Sequence, residues 1–129
     1  MDNITVYYQN RTNHLAQIRQ KLTKYTNDFS KTHTKVYEGM LGKDENLEDV
    51  FSTFNNEQAN PLSNANDWNK VCLIGNSVGT GKDFQDAMRN KKIKVGHTSM
   101  SVGDIVSYKG KNHLCADVGW KKLTNKPIE

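Results

Sequence analysis

Two β-capable runs near the C-terminus, residues 95–108 and 113–123, most constrain what this chain can fold into. A polar break containing Gly110 separates them, and two such runs around a short Gly-containing turn are typical of a β-hairpin. Gly103 can adopt the positive φ or tight bend needed to enter the first strand, and Asp104 can bond the adjacent amides. The stretch therefore predicts a small antiparallel sheet that ends in a hairpin.

The second run contains Gly119 followed by Trp120. A glycine inside a strand pattern often marks a β-bulge, so we expect Gly119 to turn the strand and re-aim the Trp120 side chain. No recognisable catalytic set lies in the hairpin. Four residues are predicted to be structural signature positions, whose replacement unfolds the hairpin without identifying a site: Ser101, Gly103, Asp104 and Gly119.

The hairpin sequence resembles a known family. S-M-S-V-G-D-I-V at 99–106, a short hairpin, and L-C-A-D-V-G-W-K-K-L at 114–123 are similar to the C-terminal signature of the YodL-like domain of phage, plasmid and integrative-element proteins. L-E-D-V-F-S-T-F-N at 47–55 is similar to a second family segment. The resemblance covers roughly 47–55 and 97–123, implies a mobile genetic element as the setting, and brings no catalytic residues.

The length of 129 residues fits one domain, and a hydrophobic fraction of 35% predicts a modest core with long polar connections. We expect a single domain over residues 1–129. Within it, residues 1–42 form an N-terminal strand–helix–strand region with no counterpart in the resemblance. Residues 43–129 form the YodL-like region, with an Asn-rich surface loop at 56–69 and Trp68 packed at its end.

Hydrophobic periodicity predicts the remaining elements. Strands are expected at 4–8, 32–39 and 70–74, and helices at 14–25, 47–55 and 83–89, the last with Asp83 as its N-cap. We therefore predict an α+β fold, in which a small antiparallel β-sheet contains all three strands and the C-terminal hairpin. Two or three helices cover that sheet.

The net charge is +4, and residues 89–126 carry nine basic and two acidic residues. Such asymmetry suits nucleic acid or an acidic protein surface, although a Lys-rich solvated edge that prevents stray strand pairing explains much of the same charge. Trp120 is a candidate for stacking and also for the core. The binding candidates are Lys109, Lys111, Trp120, Lys121 and Lys122.

One segment imitates a nucleotide-binding loop. A strand, the Gly-rich residues 75–82 and a helix follow one another as in a P-loop, which cradles phosphate with main-chain amides. However, five residues separate Gly75 from Gly81 where four are needed, and Asp83 replaces the Ser or Thr that binds magnesium. A flexible loop before a capped helix explains these residues more simply.

The sequence contains little support for a metal site or a reactive thiol. No two of the four histidines are four residues apart, and neither Cys72 nor Cys115 belongs to a C-x-x-C motif, so we expect no metal and no cofactor. His113 and Cys115 can share a strand face, but nothing in the sequence would activate the thiol. Without a membrane-length apolar run or a signal pattern, the protein is expected in the reducing cytoplasm, with two buried thiols.

Three functions remain open. The first is a non-catalytic accessory protein of a mobile element that binds and modulates a host or defence protein, in one form as an anti-defence inhibitor. The second is a nucleic-acid binder that uses the basic face of the C-terminal hairpin, with Tyr108 and Trp120 stacking on bases. The third is an enzyme acting through residues 75–82 or Cys115. The sequence favours the first, non-enzymatic, function and leaves the oligomeric state open.

Overall fold

The computed structural model describes residues 2–11, 32–116 and 119–122, with only the backbone at Lys121. The described elements, in chain order, are β1 (Asp2–Gln9), β2 (His33–Leu41), α1 (Leu47–Phe54), β3 (Cys72–Ile74), β4 (Ser77–Gly79), α2 (Gly81–Arg89), β5 (Ile105–Tyr108), β6 (Lys111–Cys115) and β7 (Trp120–Lys122). The α+β prediction is confirmed. The predicted helix at 14–25 lies outside the described residues.

Strand β1 organises a five-stranded antiparallel sheet of order β2-β1-β5-β6-β7. It pairs on one side with β2 and on the other with β5, where Val6 lies opposite Val106. The pairing with β2 shifts register between Val6 and Tyr7, so that Val36 is an extra residue. Because a bulge lets neighbouring side chains face one side, both Val36 and Tyr37 contribute to the core.

The C-terminal hairpin forms as predicted, but its second run is not one strand. β5 and β6 join through Lys109 and Gly110, whose φ values of 53° and 73° are those of a type I′ turn. The chain then reverses again, and β7 pairs with β6. The predicted Gly119 bulge is wrong: Gly119, with φ of 69°, lies just before β7, and its carbonyl accepts the Ala116 N–H at 3.0 Å.

Helix α1 packs across the main sheet. The Asn46 side chain accepts the Asp49 N–H at 3.2 Å and the Asp49 carboxylate accepts the Asn46 N–H at 2.8 Å, which completes a capping box. Val50 and Phe54 are the buried residues of this helix. Edge-to-face contacts with Tyr8 and Tyr37 surround the Phe54 ring, at centroid distances of 6.3 and 5.3 Å. Aromatic contacts thus fix helix to sheet.

Strand β3 does not join the main sheet as predicted. Among the described strands it pairs only with β4, in a separate two-stranded sheet, through a turn where Gly75 has a φ of 65°. Helix α2 follows β4, and its N-cap is Thr80 rather than Asp83. Asp83 is instead the third helical residue, whose carboxylate accepts the Thr80 N–H at 2.9 Å. The predicted N-capped helix is therefore present, but the N-cap residue is Thr80 and not Asp83.

The Asn-rich connection between α1 and β3 is partly internal. Asn60 is 1% exposed, and its amide donates to the Phe54 carbonyl at 2.9 Å and to the Thr98 carbonyl at 2.7 Å. Its side-chain oxygen accepts the Leu62 N–H at 2.9 Å, and Leu62 is fully buried. The loop is therefore anchored at its centre. The expectation that Trp68 packs at its end is wrong, because Trp68 is 80% exposed.

One hydrophobic core joins both predicted regions of the chain, since Val6 and Val36 pack in the same cluster as Phe54, Phe84 and Val106. Cys72 and Cys115 are buried thiols. Among the described residues, no helix is both long and apolar enough to cross a membrane.

Candidate binding surfaces

The buried carboxylate of Asp104 lies where the end of β1 meets the connection before β5. Its Oδ1 accepts the Gln9 N–H at 2.8 Å and its Oδ2 accepts the Ser101 N–H at 2.8 Å. His97 Nε2 lies 3.0 Å from Oδ2, while Asp104 itself is 0% exposed. The carboxylate thus joins the end of β1 to the connection before β5. A bond from Asp104 to nearby main-chain amides was predicted, and the donor is the Ser101 N–H three positions earlier; the contacts with Gln9 and His97 were not predicted.

Aromatic and histidine side chains surround this carboxylate. The Tyr8 ring stacks on His97 with 4.6 Å between centroids, and the Tyr8 hydroxyl donates to the Thr98 carbonyl at 2.8 Å. His33 Nε2 lies 2.6 Å from the Gly103 carbonyl. Burial is the largest influence on both titrating groups, raising the pKa of Tyr8 and lowering the pKa of His33. These contacts hold the entry to β5, so Ser101, Gly103 and Asp104 lie in a structural network.

The predicted lysines lie around the hairpin. Lys109 and Lys111 are exposed at its tip, and the Lys109 ammonium lies 5.2 Å from the centroid of the Tyr108 ring. Lys122 is exposed on β7, whereas the side chain of Lys121 lies outside the described residues. The tip is thus basic and solvent-facing.

Strand register places part of this charge on one face. Lys111 lies opposite Tyr108 and Lys122 lies opposite His113, and residues directly opposite in an antiparallel pair share a face. Because Lys111 and His113 are two residues apart, both pairs lie on the same side. Burial and the nearby Lys122 lower the pKa of His113. We call Tyr108, Lys111, His113 and Lys122 the basic face.

The basic residues at 89–94 do not extend this face. Ile4 lies opposite Tyr108, whereas Asn10 bridges Val95 at the other end of β1. Six residues of strand separate these points by about 20 Å. The described basic residues between 89 and 122 are therefore divided between two ends of the sheet.

Trp120 lies in a pocket rather than on an open face. The pocket has a volume of about 190 Å³ and is lined by Glu48, Phe51, Cys115, Ala116, Gly119 and Trp120. The Trp120 side chain is half-buried and packs against the core, which supports the core interpretation in part, whereas its stacking on a ligand stays a prediction. No local sequence pattern indicates that Glu48 and Phe51 share a pocket with Trp120, because α1 and β7 are distant in the chain.

A second surface is apolar. Val71 and Val78 are 46% and 68% exposed, and Leu73 lies opposite Val78. Alternation places Val71, Leu73 and Val78 on the outer side of the β3–β4 hairpin, while Cys72 and Ile74 face the core. Trp68 lies three positions before Val71 in the chain, and we group it with these outer residues under the name apolar surface: Trp68, Val71, Leu73 and Val78.

The conformation of the chain around Trp68 is fixed. The Asp67 carboxylate accepts the Asn69 N–H at 2.9 Å, and the Asp67 carbonyl accepts the Lys70 N–H at 3.2 Å. The Lys70 ammonium donates to the Gln58 carbonyl at 3.0 Å. Trp68 is therefore held in solvent by a hydrogen-bonded turn.

The glycines of residues 75–82 have packing roles. Gly75 has a positive φ at the β3–β4 turn. A Cβ on Gly81 would lie 2.8 Å from the Asn64 carbonyl oxygen and 2.9 Å from that of Pro61. The first turn of α2 already holds the Asp83 carboxylate, whose pKa is lowered by its hydrogen bonds to Thr80. Glycine here serves the turn and the close packing of α2 on the loop.

Within the described part of the chain, no three histidine, cysteine or acidic side chains are grouped to hold a metal ion. The Cys72 thiol is buried, and burial raises its pKa to about 12. Cys115 is 4% exposed beside Trp120.

Comparison with known proteins finds no match for this chain among protein-family models, curated proteins or solved structures.

Proposed function

We propose that this chain is a small, non-catalytic, cytoplasmic accessory protein of a mobile genetic element that binds and modulates a host or defence protein. The mobile-element setting is supported by the resemblance of residues 47–55 and 97–123 to the YodL-like domain. The binding role is supported by one structural observation above all: Trp68 is 80% exposed on a hydrogen-bonded turn.

An exposed tryptophan on a hydrogen-bonded turn is suited to protein recognition. Tryptophan is enriched among the residues that dominate interface energies, and a main chain already held by hydrogen bonds loses less conformational entropy on binding. Val71, Leu73 and Val78 supply neighbouring apolar area on the β3–β4 hairpin. The apolar surface therefore has an aromatic anchor and an aliphatic flank.

Local charge favours a protein over nucleic acid at this surface. Asp67 precedes Trp68, and the Lys70 ammonium lies 3.6 Å from the Asp67 carboxylate. The basic face lies on a different sheet from the β3–β4 hairpin. Phosphate binding requires uncompensated positive charge, which the turn carrying Trp68 does not supply.

Affinity capture with matched variants tests this proposal. The tagged wild-type protein, a Trp68→Ser/Val78→Ser double variant and a Lys43→Ala control are incubated with nuclease-treated bacterial lysate, and bound proteins are identified by mass spectrometry. We expect a stoichiometric protein that the wild type and control retain and the double variant loses. A captured protein retained equally by all three would contradict the proposed surface.

The basic face supports a second candidate function, nucleic-acid binding. The supporting observation is the register that places Tyr108, Lys111, His113 and Lys122 on one side, beside the exposed Lys109. Phosphate-driven binding weakens by orders of magnitude between about 50 and 200 mM salt. Fluorescence anisotropy with a labelled single-stranded oligonucleotide at both concentrations tests it, and a Lys109→Gln/Lys111→Gln/Lys122→Gln variant should abolish a genuine signal.

A further inference from the structure

We propose that the pocket beside Trp120 binds the guanidinium group of an arginine side chain supplied by a protein partner. This goes beyond the proposed function by assigning a second recognition site with a defined ligand chemistry. It lies outside the apolar surface.

The pocket is formed by two separate parts of the chain. In α1, Glu48 and Phe51 are three residues apart and therefore neighbours on the helix surface. Across from them, Trp120 lies opposite Cys115 in the β6–β7 pair, and the Ala116–Gly119 hydrogen bond of 3.0 Å closes the reversal. Helix and strand thereby bring two aromatic rings and a carboxylate to one cavity.

The size of the pocket indicates a single side chain. Its volume is about 190 Å³, whereas sites for small molecules and cofactors typically enclose about 300–1,000 Å³. A partner side chain, whose main chain stays outside, needs no larger cavity. A protein partner is therefore the source of the ligand that we assign.

The lining indicates a positive charge. Phe51 and Trp120 are aromatic residues of the lining, and tryptophan is the strongest aromatic partner for a cation. The Glu48 carboxylate is exposed at the pocket and, among the described residues, takes part in no ion pair or side-chain hydrogen bond. Guanidinium is planar, weakly hydrated and able to bond a carboxylate while stacking on a ring, which suits this combination better than ammonium.

Surrounding charge is consistent with that assignment. Four acidic residues lie at or just before the N-terminal turn of α1 and make that region negative: Asp44, Glu45, Glu48 and Asp49. Lys122, the nearest lysine along β7 whose side chain is described, lies two residue pairs beyond the Cys115–Trp120 pair, opposite His113 and on the same face of the strand as Trp120. Among the described residues, Glu48 is the charged group that lines the pocket.

Nuclear magnetic resonance titration tests the site with two nearly isosteric probes, N-acetyl-argininamide and the uncharged N-acetyl-citrullinamide. Using the ¹⁵N-labelled full chain, we expect argininamide to shift the Trp120 indole and Gly119 amide signals saturably in the millimolar range, and citrullinamide to leave them unchanged. A Trp68→Phe variant assigns the two indole signals. Equal shifts from both probes, or none at Trp120 and Gly119, would overturn the proposal.

A matched pair of variants completes the experiment. Glu48→Gln keeps the exposed position and removes the charge, so it should weaken argininamide binding by about twofold to fivefold, the effect of losing an exposed ion pair. Glu57→Gln removes an exposed carboxylate just beyond α1 and should leave the affinity unchanged. Equal affinity in Glu48→Gln and wild type would overturn the assignment. Since no partner protein is required, this result is independent of the affinity-capture experiment.

Discussion

The carboxylate of Asp104 accepts a hydrogen bond from the main-chain N–H of Gln9, 2.8 Å away and 95 positions earlier in the chain. Its second oxygen accepts the Ser101 N–H, so both oxygens are engaged by main-chain donors. This contact holds the connection before β5 against the end of the central strand. The same network places the hairpin that carries Trp120 and the basic face.

Asp104→Asn should destabilise the fold despite its matched size. An asparagine has only one oxygen, so its NH₂ group would face either the Gln9 or the Ser101 N–H. We expect a loss of about 2–4 kcal/mol in the free energy of unfolding, measured by urea denaturation. Asp86→Asn on the exposed side of α2 is the control and should change stability by less than about 0.5 kcal/mol. Equal stability of both variants would show that the carboxylate is not required.

His33 should make stability depend on pH. Burial lowers the pKa of His33 below the ordinary value of 6.5. Just below pH 6.5, His33 is therefore protonated in the unfolded state and still neutral in the folded state. Its contribution is therefore present above pH 6.5, is lost as the pH falls towards the folded-state pKa, and then levels off. Thermal unfolding between pH 8 and 5 should show a smaller acid-side loss in His33→Gln than in wild type. Identical pH profiles would contradict the prediction.

The two glycines that frame the β3–β4 region should respond differently to alanine. Gly81→Ala brings its Cβ to 2.8 Å from a main-chain oxygen, which predicts a loss of about 1–3 kcal/mol through overpacking. Gly75→Ala has nothing within 4 Å but a φ of 65°, so about 1 kcal/mol of backbone strain is expected. Chemical denaturation of both variants measures the order. A reversed order would contradict the packing role of Gly81.

Lys109 adopts a φ of 53° in the type I′ turn, a conformation that asparagine and glycine tolerate better. Lys109→Asn should therefore stabilise the protein by about 0.5–1 kcal/mol, even though it removes the contact with Tyr108. The thermal midpoint should rise. Lys111→Asn, outside the two central turn residues, is the matched control. A lower thermal midpoint for Lys109→Asn would mean that the Lys109–Tyr108 contact stabilises the protein by more than the positive φ of Lys109 destabilises it.

Local sequence patterns predicted the parts of this fold that depend on local chemistry. The periodicity of residues 47–55 and the β-rich residues 4–8 gave α1 and β1 correctly, and Gly110 marked the hairpin turn. The pairing between strands that are distant in the chain was harder to predict. Nothing local distinguishes a strand of the main sheet from β3, which pairs only with its neighbour β4.

The candidate sites depend on contacts between distant segments. Trp120 was recognised as either core or surface, but its pocket is completed by Glu48 and Phe51 from α1. Trp68 was expected to be packed because a tryptophan is usually substantially buried. The turn that fixes it in solvent depends on Asp67 and Lys70, whose bonds involve side-chain and main-chain geometry that periodicity does not encode.

Site-specific photo-crosslinking tests the proposed binding surface most directly. A photoreactive p-benzoylphenylalanine is placed at Val78, which is 68% exposed, and separately at the exposed Lys43 as the control. After irradiation in nuclease-treated host lysate, we predict one discrete protein adduct from position 78 and none from position 43. That adduct should disappear when Trp68→Ser is added. No adduct from position 78, or the same adduct from both positions, would contradict a protein-binding role for the apolar surface.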